Sequence, residues 1–315
     1  MSFIPPYSLN TNILNLVSYI SEELTALKYN THHVVEPLLR KKNRIRTLAG
    51  TLEIEGNYLG EEKITAILDG KKVLGTMREL AEVEGAIKAY QDLENYNHTD
   101  MNDLLQAHKI LMNEILSTAG NFRTVNVSVG EHVAPPFARV PELMQKLFTW
   151  LQSSEEHALI QSCVFHYEFE FIHPFSDGNG RIGRLWQSVI LYKYNELFAS
   201  LPTESIVRDH QEKYYQALED SSEIGESTPF IEFMLEMILL SIRKVGNEVG
   251  NKVGNLTDNQ NLILQHMREE PKVSAKKLSI YVGISVRKIE ENIAKMKSLK
   301  LIERVGGTRG NWEIK

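Results

Sequence analysis

Between residues 10 and 245, apolar side chains return every three or four positions, as in Ile13, Leu16, Val17, Ile20 and Leu24, and again in Leu104, Leu105, Ile110, Leu111 and Ile115. That period gathers them on one face of a helix, so the stretch is expected to form a helical bundle. One segment breaks the period. Phe122 to Val129 (FRTVNVSV) alternates apolar and polar residues and leads into Gly130 and Pro135-Pro136, which reads as a short β-hairpin or flap set in an α domain. The chain is 315 residues long, enough for two domains with real cores. Its apolar share of 42% and charged share of 24% disfavour disorder, collagen and coiled coil.

Charge divides the chain. Residues 256–315 carry 12 Lys and Arg against 7 Asp and Glu, whereas the first 255 residues carry 23 against 34, so two parts of opposite sign are expected. Between them VGNEVGNKVGN repeats Val-Gly-Asn three times. Its glycines weaken a helix, and residues 246–255 read as a linker, with continuation of the preceding helix as the alternative. Beyond it, Asn259 to Arg268 suits a helix stopped by Pro271. Ser274 can cap a second reaching Tyr281, and Ser285 a third reaching about Leu299; two strands at Leu301–Val305 and Trp312–Ile314 follow, the pattern of a winged helix over 256–315. A single cysteine, Cys163, offers neither a disulfide nor a thiolate cluster, and no signal peptide or membrane span is visible, so the cytoplasm is the expected location.

The chemistry is concentrated in His173 to Arg184, HPFSDGNGRIGR, between an aromatic-rich helical stretch and the apolar helix beginning at Leu185. Gly178, Asn179 and Gly180 allow close backbone approach, so their N–H groups and the positive end of the next helix can form an anion nest. Arg181 and Arg184, three apart, would present two guanidinium forks to one polyanion. Asp177 supplies a hard carboxylate oxygen suited to Mg2+ when phosphate oxygens and water complete the shell. His173, with an ordinary pKa near 6.5, can take a proton from an attacking hydroxyl. Together these residues point to transfer of a phosphorus-containing group from a nucleotide to a hydroxyl. A Walker phosphate loop is excluded, because no Gly-Lys-Ser/Thr follows the glycines.

HPFSDGNGRIGR resembles the active-site motif of Fic-domain proteins, H-P-F-x-D-G-N-G-R-x-x-R, and the resemblance extends through about Leu104 to Ile242, including the YYQAL segment. It implies a mainly α protein in which residues 101–245 form a Fic helical bundle with a small β-hairpin flap. The implied activity is protein adenylylation, in which AMP moves from MgATP to a Ser, Thr or Tyr hydroxyl of a target protein and pyrophosphate is released. By position, His173 is then the base, Asp177 the Mg2+ ligand, and Phe175 the anchor of the loop. Gly178, Asn179 and Gly180 cradle the phosphates, with Arg181 on the β-phosphate and Arg184 on the γ-phosphate. The target backbone would add as a strand to the flap at Val127 to His132, with Val129 and Gly130 near the nucleotide, and Tyr214 and Tyr215 would border the adenine.

Upstream, within an N-terminal helical region covering 1–100, Thr51 to Asn57 reads TLEIEGN. Read plainly it is a helix end, with Gly56 as the residue just past it. It also resembles the inhibitory motif of Fic proteins, S/T-x-x-x-E-G/N, over Thr51, Glu55 and Gly56. The resemblance implies that Glu55 pairs with Arg184 and displaces the γ-phosphate; some enzymes with this motif also remove AMP. A homodimer is a family expectation, and basic Arg287 and Lys288 in the tail would suit DNA phosphates. Two rivals stand beside this reading: transfer of UMP or phosphocholine by the same motif, and a nucleotide-sensing regulator acting on DNA through the winged helix. Gly180 argues against the kinase-like variant, which carries Lys there.

Overall fold

The computed structural model describes residues 3–31, 36–129, 132–253, 257–298, 301–306 and 310–314. Within these the chain is mainly α. The first helices are α1 (Thr11–Thr31), α2 (Glu36–Ile54), α3 (Gly60–Leu68), α4 (Met77–Gln91) and α5 (Met101–Met112). A two-stranded antiparallel hairpin follows, β1 (Ser128–Val129) with β2 (His132–Val133). Then come α6 (Val140–Ser153), α7 (Ala158–Ile172), α8 (Asn179–Tyr194), α9 (Thr203–Asp209), α10 (Gln211–Ile224) and α11 (Thr228–Val253). The last elements are α12 (Asp258–Glu269), α13 (Ala275–Val282), α14 (Val286–Ser298), β3 (Ile302–Val305) and β4 (Asn311–Ile314). No helix among the described residues is long and apolar enough to cross a membrane. The chain divides into two compact units, one of Met1–Leu24 with Lys42–Ile242 and one of Thr25–Lys41 with Arg243–Lys315.

In the first unit α7 and α8 form the central helical hairpin. α7 is buried almost all round, from Leu159 to Phe169, as expected of a helix enclosed by its neighbours. Phe165, Phe169, Phe175 and Trp186 are fully buried, each worth about 1.5–3 kcal/mol against exposure. α7 stops because His173 adopts a left-handed conformation, φ 49° and ψ 61°, and Pro174 follows. Among the described residues His173 is the one non-glycine with positive φ. Such strain costs about 1–3 kcal/mol and persists only where the surroundings hold it.

α2 is seated against the same core by a polar knot. The buried Glu204 accepts from Thr47 Oγ1 at 3.1 Å, Tyr90 OH at 3.2 Å and Ser188 Oγ at 2.8 Å, which joins α2, α4 and α8 at the start of α9. Burial raises the Glu204 pKa, and the three hydroxyls supply the partners that a buried carboxyl needs. Beside it Gly50 lets α2 touch α9: a Cβ there would lie 2.5 Å from Ser205 N and 2.6 Å from the Glu204 carbonyl carbon. α2 closes in a Schellman turn, with Asn57 N–H donating to Leu52 O, Gly56 N–H donating to Glu53 O, and Gly56 at φ +87°.

The expected flap is present but small. Of the alternating stretch Phe122–Val129 only Ser128 and Val129 pair, with Val133 and His132; Gly130 lies outside the described residues. The expected linker is also different, because α11 continues through Val253. An isolated glycine costs a helix only about 1 kcal/mol, and extending an existing helix avoids the cost of a new nucleus. In the second unit α12, α13 and α14 precede the antiparallel pair of β3 and β4. Ile263, Leu264, Leu278, Ile289, Met296 and Trp312 belong to its core. Caps set the boundaries there: Thr257 and Gln260 form a capping box, and Ser274 Oγ accepts from Lys277 N–H.

The Gly50 contact is with backbone, which cannot swing aside. Gly50→Ala should therefore lower unfolding stability by about 1–3 kcal/mol despite its better helix propensity, as read from urea denaturation. An unchanged or raised midpoint would contradict the close seating of α2 on α9.

Candidate active site

The loop between α7 and α8 is held from within. Asn179 Oδ1 accepts from Phe175 N–H, and its Nδ2 donates to Phe175 O, both at 2.8 Å. The Asn179 side chain is thus occupied in bracing the loop, leaving its backbone for the anion nest. The Phe175 ring stacks on His108 of α5, with centroids 3.6 Å apart and planes 5° apart. His108 Nδ1 accepts from Gly120 N–H at 2.9 Å, which places its proton on Nε2, 3.0 Å from Asp177 O. Burial pushes the His108 pKa down to about 4, so at neutral pH it is an uncharged brace. Gly178, at φ +84°, starts α8 without a capping side chain. The first N–H groups of α8 consequently face the loop with no intrahelical acceptor, the arrangement that binds anions.

Asp177 is the exposed end of a charge network. Its Oδ1 accepts from Gly178 N–H at 2.6 Å and Arg181 Nη2 at 3.1 Å, and its Oδ2 accepts from Arg78 Nη2 at 3.0 Å. Arg78 reaches over from α4, where Glu82 accepts its Nε at 3.1 Å. Glu82 Oε1 also lies 3.3 Å from Arg181 Nη1, while its Oε2 accepts from Asn57 Nδ2 at 2.9 Å. Arg181 is buried, yet its Nε has no acceptor among the described residues, and its Nη1 meets Glu82 only as an ion pair outside hydrogen-bond geometry. A buried guanidinium with unmatched N–H groups, beside an uncapped helix start, favours an anion.

Arg184, one turn further along α8, is buried and engaged by α2. Its Nε donates to Thr51 Oγ1 at 3.0 Å, and its Nη2 donates to Thr51 O at 3.2 Å and to Glu55 Oε1 at 2.7 Å. Burial alone would lower the Arg184 pKa, but the Glu55 carboxylate raises it above the ordinary value. The pair packs closely on Gly180, where a Cβ would lie 2.4 Å from Glu55 Oε1 and push that carboxylate aside. The end of α2 is also gripped by the α9–α10 segment: Arg208 Nη1 donates to Glu53 Oε2 at 2.5 Å, and Gln211 Nε2 to Ile54 O at 3.0 Å.

The two tyrosines separate. Tyr214 is buried in an aromatic cluster with Phe230 and Phe233, its hydroxyl 3.1 Å from His166 Nε2. It is core, which corrects its expected place at an open adenine site; apolar burial takes the ring inward at that helical position. Tyr215 is exposed, with its hydroxyl 3.5 Å from Ile54 O. At the flap, sequence reasoning passed over Arg123. Buried, it donates from Nε to His173 O at 2.8 Å, from Nη1 to Val125 O at 2.8 Å and from Nη2 to Pro135 O at 2.5 Å. It thereby ties both stems of the flap to the strained His173. Val129 sits in β1 at the tip of this hairpin.

Glu170 is the second residue the motif did not announce. Its Oε2 is 3.9 Å from His173 Nδ1, and its Oε1 is 3.9 Å from His166 Nε2. Burial pushes its pKa up to about 8, with Arg184 opposing and Glu55 adding to the rise. Folded protein therefore holds a proton on Glu170 that the unfolded chain releases near pH 4–5, so stability falls as pH rises from about 5 to 8. Glu170→Gln cannot ionise. Its melting temperature should exceed the parent's by a margin that widens across that window in thermal scans; a constant margin would contradict the buried, protonated carboxyl.

The Fic/DOC family profile matches residues 98–191, which span α5 to α8 and the whole loop. Two curated relatives named protein adenylyltransferase Fic align with part of the chain. That of Culex quinquefasciatus is 29% identical over 208 residues, and that of Aedes aegypti 30% identical over 209; each alignment covers 62% of this chain and 40% of the relative. The chain thus spans well under half the length of those proteins. Among solved structures, Fic-1 (aa134–508) from C. elegans is 22% identical with a TM-score of 0.63, covering 76% of this chain and 74% of that one, which speaks to the fold alone. A Fic family protein from Desulfovibrio desulfuricans G20 is 37% identical with a TM-score of 0.77, covering 99% of this chain and 98% of that one. Likeness of that degree along essentially the full length of both chains places this protein in the Fic family.

Proposed function

We propose that this protein transfers AMP from MgATP to a hydroxyl side chain of a target protein, and that Glu55 restrains the reaction. The observation that carries the reading is Arg181, a buried guanidinium whose Nε has no acceptor among the described residues and whose Nη1 has only an ion pair with Glu82, beside the uncapped start of α8. The two curated relatives are named protein adenylyltransferase Fic, which supports AMP over UMP or phosphocholine as the group moved.

In this mechanism the first N–H groups of α8 and Arg181 hold the inner phosphates, and Arg184 meets the outermost. His173, at the mouth of the loop, accepts the proton of the target's hydroxyl as that oxygen attacks the α-phosphorus. Arg181 and Arg184 stabilise the negative charge that gathers on the departing pyrophosphate. The hairpin of β1 and β2, whose stems Arg123 fixes, presents a strand edge to the target backbone. Among the described residues no cluster of three or more His, Cys, Asp or Glu is placed to hold a metal. Mg2+, which needs few protein ligands when phosphates and water supply the rest, fits the half-exposed Asp177 carboxylate. Held there, Mg2+ would neutralise phosphate charge; Arg78 would give up Asp177 Oδ2 to it.

Glu55 and the γ-phosphate compete for one guanidinium. A charge-assisted hydrogen bond of this kind is worth about 1.5–3 kcal/mol, which corresponds to about tenfold to a hundredfold in population. The second unit we propose to be a winged-helix module. On its third helix Arg287 is paired with Glu291 at 3.1 Å, which cancels charge on the face that DNA would need.

Glu55→Gly should raise AMP incorporation about tenfold to a hundredfold with labelled ATP and a lysate, and mass spectrometry should read an added AMP on a hydroxyl residue. His173→Ala in that background should abolish it. A folded Glu55→Gly protein with unchanged incorporation would refute the restraint; the mass of UMP or phosphocholine would refute AMP.

A further inference from the structure

The catalytic motif begins at His173, yet the last turn of α7 carries a carboxyl group that nothing in the fold requires. In the same unit the buried carboxyl of Glu204 is partnered by three hydroxyls. Glu170 Oε1 is buried and accepts no hydrogen bond among the described residues. A buried polar atom left without a partner costs about 1–3 kcal/mol, so its retention in a packed helix calls for a role that a leucine could not fill.

The surroundings restrict that role. Two imidazoles flank the carboxyl, His166 at Oε1 and His173 at Oε2, each 3.9 Å away. Both ring nitrogens of His166 already have partners, Gln187 Oε1 at 2.8 Å and Tyr214 OH at 3.1 Å. His173 lies three residues beyond Glu170, at the left-handed residue that ends the helix, with its Nδ1 toward Glu170 Oε2. Space for the carboxyl is provided by Gly183, where a Cβ would lie 2.8 Å from Glu170 Oε1. The other charged or titratable groups that act on it are Arg184 from α8, Glu55 at the end of α2 and Tyr214 from α10.

We infer that Glu170 is a positioning residue for His173: its Oε2 takes the Nδ1–H of the imidazole, leaving the Nε2 lone pair to face the phosphate site. The inference rests on the adenylyl-transfer reading. A 3.9 Å separation exceeds a hydrogen bond, and small rotations of two side chains close it; catalytic hydrogen bonds are commonly long before substrate binds and tighten in the complex. In the transfer step the target's O–H bond breaks and its proton goes to Nε2. The hydroxyl oxygen bonds to the α-phosphorus, and pyrophosphate leaves with the electron pair of the broken P–O bond. The imidazolium so formed keeps its Nδ1–H on Glu170. A neutral carboxyl can do this through its carbonyl oxygen, so the high pKa of Glu170 does not stand against it.

The test uses the full chain carrying Glu55→Gly, alone and combined with Glu170→Met or Glu170→Gln. Met fills the same buried volume without an acceptor, whereas Gln keeps one. With Glu170→Met, kcat for AMP transfer should fall about tenfold to a hundredfold with little change in KM for ATP, and 15N NMR of His173 should move from the Nδ1–H toward the Nε2–H tautomer. Glu170→Gln should restore most of the rate and the parent tautomer. An unchanged tautomer and kcat in Glu170→Met, or equal losses in both variants, would overturn the assignment. A tautomer shift in a protein that binds ATP but transfers no AMP would sustain the positioning role and overturn the adenylyl reading instead.

Discussion

A guanidinium buried in the wall of a helical hairpin must have an anion, and in this protein Arg184 is that group. Removing either member of a buried pair leaves an uncompensated charge, which costs far more than the intact pair contributes. Arg184 therefore obliges something negative to stand at the mouth of the α7–α8 loop. In the structure it is Glu55, reached through a 2.7 Å contact and supported by Thr51. Glu55 occupies the carboxyl end of α2, where the helix dipole disfavours negative charge. The contact is thus strong from the side of Arg184 and poorly supported from the side of α2, a suitable balance for a partner that a phosphate can replace.

The surrounding architecture supplies what this exchange needs. Gly50, Thr47 and Glu204 set the height of α2 on the core, while Arg208 and Gln211 fix its end. Glu82 connects the two halves of the proposed nucleotide site, since one carboxylate meets Asn57 just past the end of α2, Arg78, and Arg181. A phosphate drawing on Arg181 would alter the same carboxylate that steadies Asn57. The proposed nucleotide site and the seating of the α2 end would in this way be linked through a side chain on α4, outside the residues the family profile covers.

The sequence carried the central site because its chemistry is compressed into twelve consecutive residues, and every one of them lies on one loop and the first turns of one helix. The helical bundle was legible from period, and the cap at Ser274 from composition. What escaped were partners from elsewhere in the chain. Arg123 belongs to a segment whose alternation suggested a strand, whereas most of that segment is an irregular stem held by the arginine itself. Arg78, Glu82 and His108 meet the loop only through packing of α4 and α5, which no local pattern encodes. Glu170 was adjacent to the motif, but one of two glutamates on a largely apolar helix carries no signal until its burial is known. Tyr214 and the Val-Gly-Asn repeats erred in the opposite direction: an aromatic pair suggested a ligand where the core claimed one ring, and glycine spacing suggested a break where the helix continued.

Competition between Glu55 and the last phosphate is the claim on which the functional account turns, and nucleotide affinity measures it without any transfer step. Isothermal titration of ATP and ADP against the parent and against Glu55→Gly separates the γ-phosphate from everything else in the ligand. The account predicts that the variant gains about tenfold to a hundredfold in preference for ATP over ADP, with ADP affinity nearly constant. Equal preference in the two proteins would mean that Arg184 never receives the γ-phosphate, and the proposed restraint would be wrong.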